Sequence, residues 1–436
     1  MRVCVQGLWH LGTVTAACLA AVGHHVVGLD ADGARIAELC RGNPPLFEPG
    51  LAELVQEGLA SGHLSFSVEP GEALADAEVL WVTYDTPVND RDEADVGFVM
   101  AQVESAIPSV PVGATILVSS QLPVGSVRRL SLRAGEIAPG RSIGFACSPE
   151  NLRLGKALEV FRHPDRVVVG VSSPNDRARI ERLLSPITQK IEWMAVESAE
   201  MTKHAINAFL ATSVVFANEI ASLCETVGAD AKDVERGRKS ERRIGPGAYL
   251  SPGGAFAGGT LARDVEFLKG IGAVSDSPTA LLQAIRTSND GHKRWAERTA
   301  GRLLGDLRGR TFAIWGLTYK AGTSTLRRSL AVELCDSLLS QGVRLKVHDP
   351  AAEALPESWA GLVERVREPG EALAGADALV VATEWPEYRS VQASVLERLP
   401  AGFVVIDANR FLGHWRGVAG IRYAAVGTPP EPRAAA

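Results

Sequence analysis

The sequence predicts an α/β chain built from two doubly wound, Rossmann-like parallel-sheet domains joined by a central domain of long helices. Three observations predict it. Short apolar runs alternate with helical patterns over residues 1–197, the same alternation returns over 305–425, and residues 198–304 between them keep helical periodicity with no strand-like run. Length and composition agree: 436 residues exceed what one core holds, and 46% hydrophobic with 22% charged residues is globular usage. The last stretch, 426–436, is rich in Pro and Ala and is expected to be disordered.

A net charge of −6 gives no broad electrostatic footprint for nucleic acid or a membrane surface. One local basic cluster, Arg236, Arg238, Lys239, Arg242 and Arg243, could still meet phosphates. The six cysteines, at 4, 18, 40, 147, 224 and 335, lack metal-ligand spacing and sit mostly in apolar segments, so buried reduced thiols, a cytoplasmic location and no metal are expected. There is no secretory pattern, and no apolar run reaches the roughly 18 residues of a membrane span.

The first element is the apolar strand Met1–Gln6, followed by the turn GLWHLG (7–12), a helical pattern over 13–22 and a second strand that closes on Asp30. A strand, a glycine turn opening a helix and an acid about 20 residues on form the dinucleotide-binding fingerprint. Gly7, Trp9, His10, Leu11 and Gly12 are therefore candidate cofactor contacts, with the pyrophosphate at the helix N-terminus. Asp30 would hold ribose hydroxyls and, with Asp32 beside it, repel a 2′-phosphate, so the expected cofactor is NAD rather than NADP. Trp9 stands where the fingerprint has its middle glycine and is expected to pack over the turn.

Further strands end at Asp85-Thr86-Pro87, Ser119-Ser120-Gln121, Ser148-Pro149-Glu150 and Val171. In a parallel sheet the carboxyl ends of the strands form the ligand-binding rim, which makes Thr86, Ser120 and Glu150 candidates. Glu150 reads equally as a surface or helix-capping acid. From about Ser198 a long helical stretch, unusually long for a globular helix, suggests a linking or dimer-forming element. Lys203 and Asn207 lie four apart on it, either as a solvated edge or as a pair facing a site. The segment SPGGAFAGGTLARD (251–264) is a glycine-rich loop delivered to a helix start, where backbone amides can approach a ligand. Strand runs resume with GRTFAIWG, VRLKVHDP, ADALVVATEW and GFVVIDANRFL.

Read together and in order, the motifs from Met1 to about Tyr423 resemble the UDP-glucose/GDP-mannose dehydrogenase family. They include GLWHLG with Asp30, FEPGL (47–51), LPVG (122–125), SPENLRLGKA (148–157), EMTKHAINAFLA (200–211), GGAFAGGTLARDV (253–265), GLTYKAGTSTLRRS (316–329) and DANRFL (407–412). The resemblance implies an NAD domain, a helical dimer core and a nucleotide-sugar domain. It also implies oxidation of a sugar C6 alcohol to a carboxylate in two NAD-dependent steps, through a cysteine thiohemiacetal and thioester. Carried over by position, Lys203 and Asn207 would stabilise the oxyanion, Asp264 would hold a water, and Glu150 would serve as acid/base beside the reacting carbon. Arg243, Lys320 and Arg327 are expected on the phosphates or sugar, with Arg327 counted among the cofactor residues. Glu150, Leu152, Tyr249, Phe256 and Gly258 complete the expected substrate contacts.

The departures carry as much weight as the matches. Thr260 stands where the family has its nucleophilic cysteine, Gln121 where it has threonine, Leu154 where it has a second glutamate, Arg263 for a lysine and Ala262 for proline or glutamine. A thiol with a pKa of about 8.5 can be poised as thiolate, whereas a threonine hydroxyl needs a dedicated base. The second oxidation is therefore expected to fail, leaving one two-electron oxidation to a carbonyl. A secondary alcohol on a long-chain sugar, such as the octoses of lincosamide-type antibiotic biosynthesis, would stop at a ketone and make the cysteine pointless. Alternatives are a conventional uronate-forming dehydrogenase and a non-catalytic binder of nucleotide sugar or NAD.

Overall fold

The computed structural model describes residues 1–87, 94–149, 152–391 and 393–429. The chain divides into two compact units, Met1–Ile206 and Asn207–Ala436. Among the described residues, the first unit holds an eight-stranded sheet of β1 (Arg2–Gln6), β2 (His25–Leu29), β3 (Leu64–Ser67), β4 (Val79–Val82), β5 (Thr115–Val118), β6 (Gly144–Cys147), β7 (Val167–Val171) and β8 (Ile191–Met194). Its order is β3-β2-β1-β4-β5-β6-β7-β8. The chain reverses its direction of travel across the sheet between β1 and β4, the switch point at which such sheets bind ligands.

Both faces of this sheet are covered. Leu80 and Val82 of β4 pack into one apolar cluster with Val99 and Ile116, while Val79 and Trp81 point the other way, to Val14, Leu19 and Leu117. Burial on both sides removes any polar alternation, so the strand reads as a continuous apolar run. The expected all-parallel pairing holds except between β6 and β7, which are antiparallel. A parallel return needs a full crossover, and in the described part of the connection the helix is the single short Ala157–Arg162.

The second unit repeats the plan with β9 (Thr311–Trp315), β10 (Arg344–His348), β11 (Val363–Arg365), β12 (Ala378–Val381), β13 (Phe403–Asp407) and β14 (Ile421–Ala424). The six strands are all parallel in the order β11-β10-β9-β12-β13-β14, and Ile314 lies opposite both Val347 and Val380. Helices Ala231–Ser240, Thr260–Ser275, Ala280–Lys293 and Trp295–Leu304 precede β9.

The helix Val196–Val227 starts in the first unit and continues into the second. Contrary to expectation, it is long and apolar enough to cross a membrane by length and composition. Its buried face argues otherwise. Glu200, His204, Asn207, Asn218 and Glu225 are buried there and hydrogen-bonded to other protein groups, a polar load that a hydrocarbon layer would not satisfy. The cysteines are reduced and buried except Cys40, which ends the helix Gly33–Cys40 on its exposed side. Most of the tail expected to be disordered, 430–436, lies outside the described residues.

Candidate active site

In the first unit, β1 runs into the turn at Gly7 and then into the helix His10–Ala21. Gly12 has no room for a side chain, since a Cβ there would lie 1.9 Å from the Gly7 carbonyl oxygen. Its absence lets the helix close directly on the turn. Asp30, buried at the end of β2, accepts the Leu8 N–H at 2.7 Å and the Asp32 N–H at 3.0 Å. Arg35 adds a third bond to it at 2.8 Å and lies 5.3 Å above the ring of Trp9. Trp9 is 41% exposed and forms a platform beneath that guanidinium. Leu11 is buried behind the turn.

His10 hydrogen-bonds Glu48 at 2.9 Å, and Glu48 also accepts the Gly155 and Ala157 N–H groups, each at 2.8 Å. Burial pushes the Glu48 carboxyl up, but these hydrogen bonds outweigh it and hold the group below the usual carboxylate range. One anion thus ties the glycine turn to the segment after β6. The sequence supplied Glu48 as part of a motif but gave it no role, and Arg35 gave no signal beyond lying five residues past Asp30.

At the rim, Thr86 donates to the Gln121 carbonyl oxygen at 2.6 Å. The buried Ser120 hydroxyl has no hydrogen-bond partner among the described residues. A small cavity of about 20 Å³ is lined by Ser120, Gln121, Glu200, Lys203 and His204 among others. Glu200, one turn before Lys203, accepts the Gly125 and Val127 N–H groups, while burial pushes its carboxyl up. The turn's bare backbone, Asp30 and the orphaned Ser120 hydroxyl fit a dinucleotide. Glu150 lies outside the described residues, and Leu152 is half-buried near it in sequence.

In the second unit, Asn207 and Asp264 are both buried, and the Asn207 side-chain amide donates to the Asp264 carboxylate. Their helices are pinned by Ala208, Ala211, Val265 and Ile285. Thr260 opens the helix Thr260–Ser275 one turn before Asp264; it is exposed, and its hydroxyl has no hydrogen bond among the described residues. Phe256 is half-buried with its backbone held by Asn289, and Gly258 is half-buried two residues on. Tyr249 is exposed.

The turn after β9 repeats the device of the turn after β1. Asp349, at the end of β10, accepts the Leu317 and Thr318 N–H groups at 2.6 and 2.9 Å. Burial raises this carboxyl, and its backbone donors bring it below the usual range. Lys320 and Arg327 lie exposed on the same connection. Arg243 is exposed and pairs with Glu241 at 3.0 Å. The basic cluster is largely matched internally: Lys239 with Glu235, Arg236 with Asp233, and Arg238 over the Phe216 ring.

Models of three domains of the UDP-glucose/GDP-mannose dehydrogenase family match this chain: the NAD binding domain over residues 1–188, the central domain over 197–291 and the UDP binding domain over 313–414. A UDP-glucose 6-dehydrogenase of Pseudomonas aeruginosa is 36% identical over 404 residues, 89% of each chain. One from Rhizobium meliloti is 33% identical over 98% of this chain and 100% of its own. The solved UDP-glucose dehydrogenase of Pyrobaculum islandicum superposes with a TM-score of 0.85 at 29% identity, over 98% of both chains. With a dinucleotide turn that fits its cofactor and matches across all three domains, this chain is an NAD-dependent oxidoreductase and belongs to the UDP-glucose/GDP-mannose dehydrogenase family.

Proposed function

We propose that this chain oxidises the C6 hydroxyl of a nucleotide sugar to a carbonyl in a single two-electron step, preferably a secondary alcohol to a ketone. The observation that carries the reading is Thr260. By resemblance it occupies the place of the family's nucleophilic cysteine, and its exposed hydroxyl has no base hydrogen-bonded to it among the described residues. Without such a base the hydroxyl does not trap an aldehyde covalently, and the second oxidation has no adduct to act on. The cysteines of the second unit, Cys224 and Cys335, are buried and offer no substitute.

NAD, when bound, supplies the hydride acceptor. Lys203 and Asn207, one turn apart on the long helix, hold the oxyanion that develops as the hydroxyl proton leaves. Asp264 orients the Asn207 amide by accepting its hydrogen, and Glu150 is the proposed acid/base group. Arg243, Lys320 and Arg327 hold phosphates, with Lys320 exposed and free of ion pairs among the described residues. Leu154, 39% exposed where the family has a glutamate, suits the extra carbons of a long-chain sugar such as an octose of the lincosamide type.

The proposed assembly is a homodimer in the cytoplasm. Phe209, Phe216 and Leu223 recur every seven residues along the long helix and are 70%, 45% and 62% exposed, a stripe that a second copy would cover.

The names of the relatives favour a second reading, two oxidations of UDP-glucose to an acid. Incubation with NAD and a panel of nucleotide sugars, including UDP-glucose, GDP-mannose and seven- and eight-carbon sugars, separates the two. One NADH per carbonyl product, identified by mass, is expected. Two NADH per sugar acid would overturn the proposal, and ligand binding without any NADH would mark a binding protein.

A further inference from the structure

The loop 250–259 takes no regular secondary structure, yet Pro252 and Gly253 are buried and six of its other residues are half-buried. Buried backbone groups need partners, and here side chains supply them. Asn218 accepts the Gly253 N–H at 3.0 Å and donates to the Gly254 carbonyl oxygen at 3.3 Å. His292 Nε2 donates to the Gly253 carbonyl oxygen at 2.8 Å. Asn289 accepts the Phe256 N–H at 3.0 Å and donates to the Phe256 carbonyl oxygen at 2.8 Å, imitating a strand neighbour. Asn409 accepts the Gly254 N–H at 2.7 Å. A Cβ on Gly253 would lie 2.2 Å from the Asn409 side-chain oxygen, so any side chain there would push the Asn409 amide aside.

Asn218, Asn289 and His292 are 2%, 3% and 8% exposed. Burial lowers the His292 pKa and keeps the ring neutral, with its proton on the nitrogen that faces Gly253. Apolar side chains could fill the same volume without the desolvation cost of two carboxamides and an imidazole. What buried polar bonds add is a fixed position for each backbone atom they touch. The loop so fixed leads directly to Thr260, one turn before Asp264.

We propose that Asn218, Asn289 and His292 are positioning residues that set the loop 250–259 against the sugar end of the nucleotide-sugar substrate. The inference rests on the reading above that this loop lies at the reacting carbon. It separates these three residues from the groups that hold nucleotide or NAD. Loosening the clamp should weaken recognition of the sugar and leave recognition of the nucleotide unchanged.

The test uses the full chain, hydrogen exchange of the peptide spanning the loop, and calorimetric binding of UDP and UDP-glucose, none of which requires turnover. In Asn289→Ala, exchange of the loop amides should accelerate and the Kd for UDP-glucose should rise about tenfold, with the Kd for UDP within about twofold of wild type. His292→Gln, which keeps a donor, should stay near wild type, while His292→Leu should behave as Asn289→Ala. The His292 pair carries the test if Asn289→Ala does not fold. Equal weakening of both ligands, an accelerated loop with unchanged binding, or a wild type that binds UDP and UDP-glucose equally would each overturn the proposal. Counting NADH with the sugar panel scores the single-oxidation reading independently.

Discussion

The side-chain amide of Asn207 donates a hydrogen bond to the carboxylate of Asp264, a residue 57 positions further along the chain. Asp264 is fully buried, so this bond answers part of a large desolvation demand, and it leaves the amide with one orientation. Asn207→Ala should lower kcat by about 10²–10³-fold, the usual loss for one oxyanion donor, with the KM for NAD unchanged. It should also cost about 1–3 kcal/mol in stability, since a buried acceptor loses a donor. Steady-state kinetics and denaturant titration read the two effects separately; an unchanged kcat would remove Asn207 from the reaction.

Thr260 offers the contrary expectation, a change at the first residue of the helix Thr260–Ser275 that leaves the first oxidation nearly intact. Thr260→Ala should retain kcat within about threefold, because no covalent adduct forms on the hydroxyl. Thr260→Cys should at most add a slow acid-forming step with a hexose substrate. Product mass and NADH per sugar check both, and loss of the first oxidation in Thr260→Ala would show the hydroxyl to be a participant.

Most of the fold was legible in the sequence because its central strands are buried on both faces. AEVLWV and ADALVV carry unbroken apolar runs for that reason. The strands that gave no such signal, LSFS, IEWM, VER and IRYA, are the four edge strands of the two sheets. Each is short and partly exposed, as edges are, and so lacks a distinctive pattern. Site residues divide in the same way. The glycine turn, Asp30 and the Lys203–Asn207 spacing are local patterns, whereas the bonds of Glu48 to His10 and of Asn289 to Phe256 link distant segments and leave no mark on either one.

Asp30 has two tasks that a variant can separate from substrate chemistry. It accepts the Leu8 N–H within the glycine turn and anchors Arg35 over Trp9. Asp30→Ala should raise the Kd for NAD by about tenfold or more and cost about 1–3 kcal/mol in stability, because a buried N–H in the turn loses its acceptor. Binding of UDP should not change. Fluorescence or calorimetric titration with each ligand decides the matter, and equal losses for both would refer the effect to general unfolding.

The exposed stripe on the long helix predicts a concentration-dependent assembly. Phe209→Glu combined with Leu223→Glu should shift the protein to a monomer in sedimentation velocity without altering its circular dichroism, since both side chains already face solvent in the single chain. A monomeric wild type at micromolar concentration would sink the dimer.

Glu235 gives a pH dependence with a definite sign. Burial would raise its carboxyl, but hydrogen bonds from Lys239, Ser251 and Lys232 outweigh this and hold it at about 2, against an ordinary 4.5. A carboxylate depressed in the folded state contributes stability that is fully present above its unfolded value and is lost as pH falls toward the folded one. Glu235→Gln should therefore be less stable than wild type at neutral pH, by an amount that holds down to about pH 5 and shrinks between about pH 4 and pH 2. Added salt should shrink it as well, because the partner lysines are partly exposed. Since Glu235 accepts the Ser251 hydroxyl at 2.5 Å, the same variant should loosen the start of the loop 250–259. A stability difference that did not vary with pH would mean that the ionised form of Glu235 contributes nothing to the anchor.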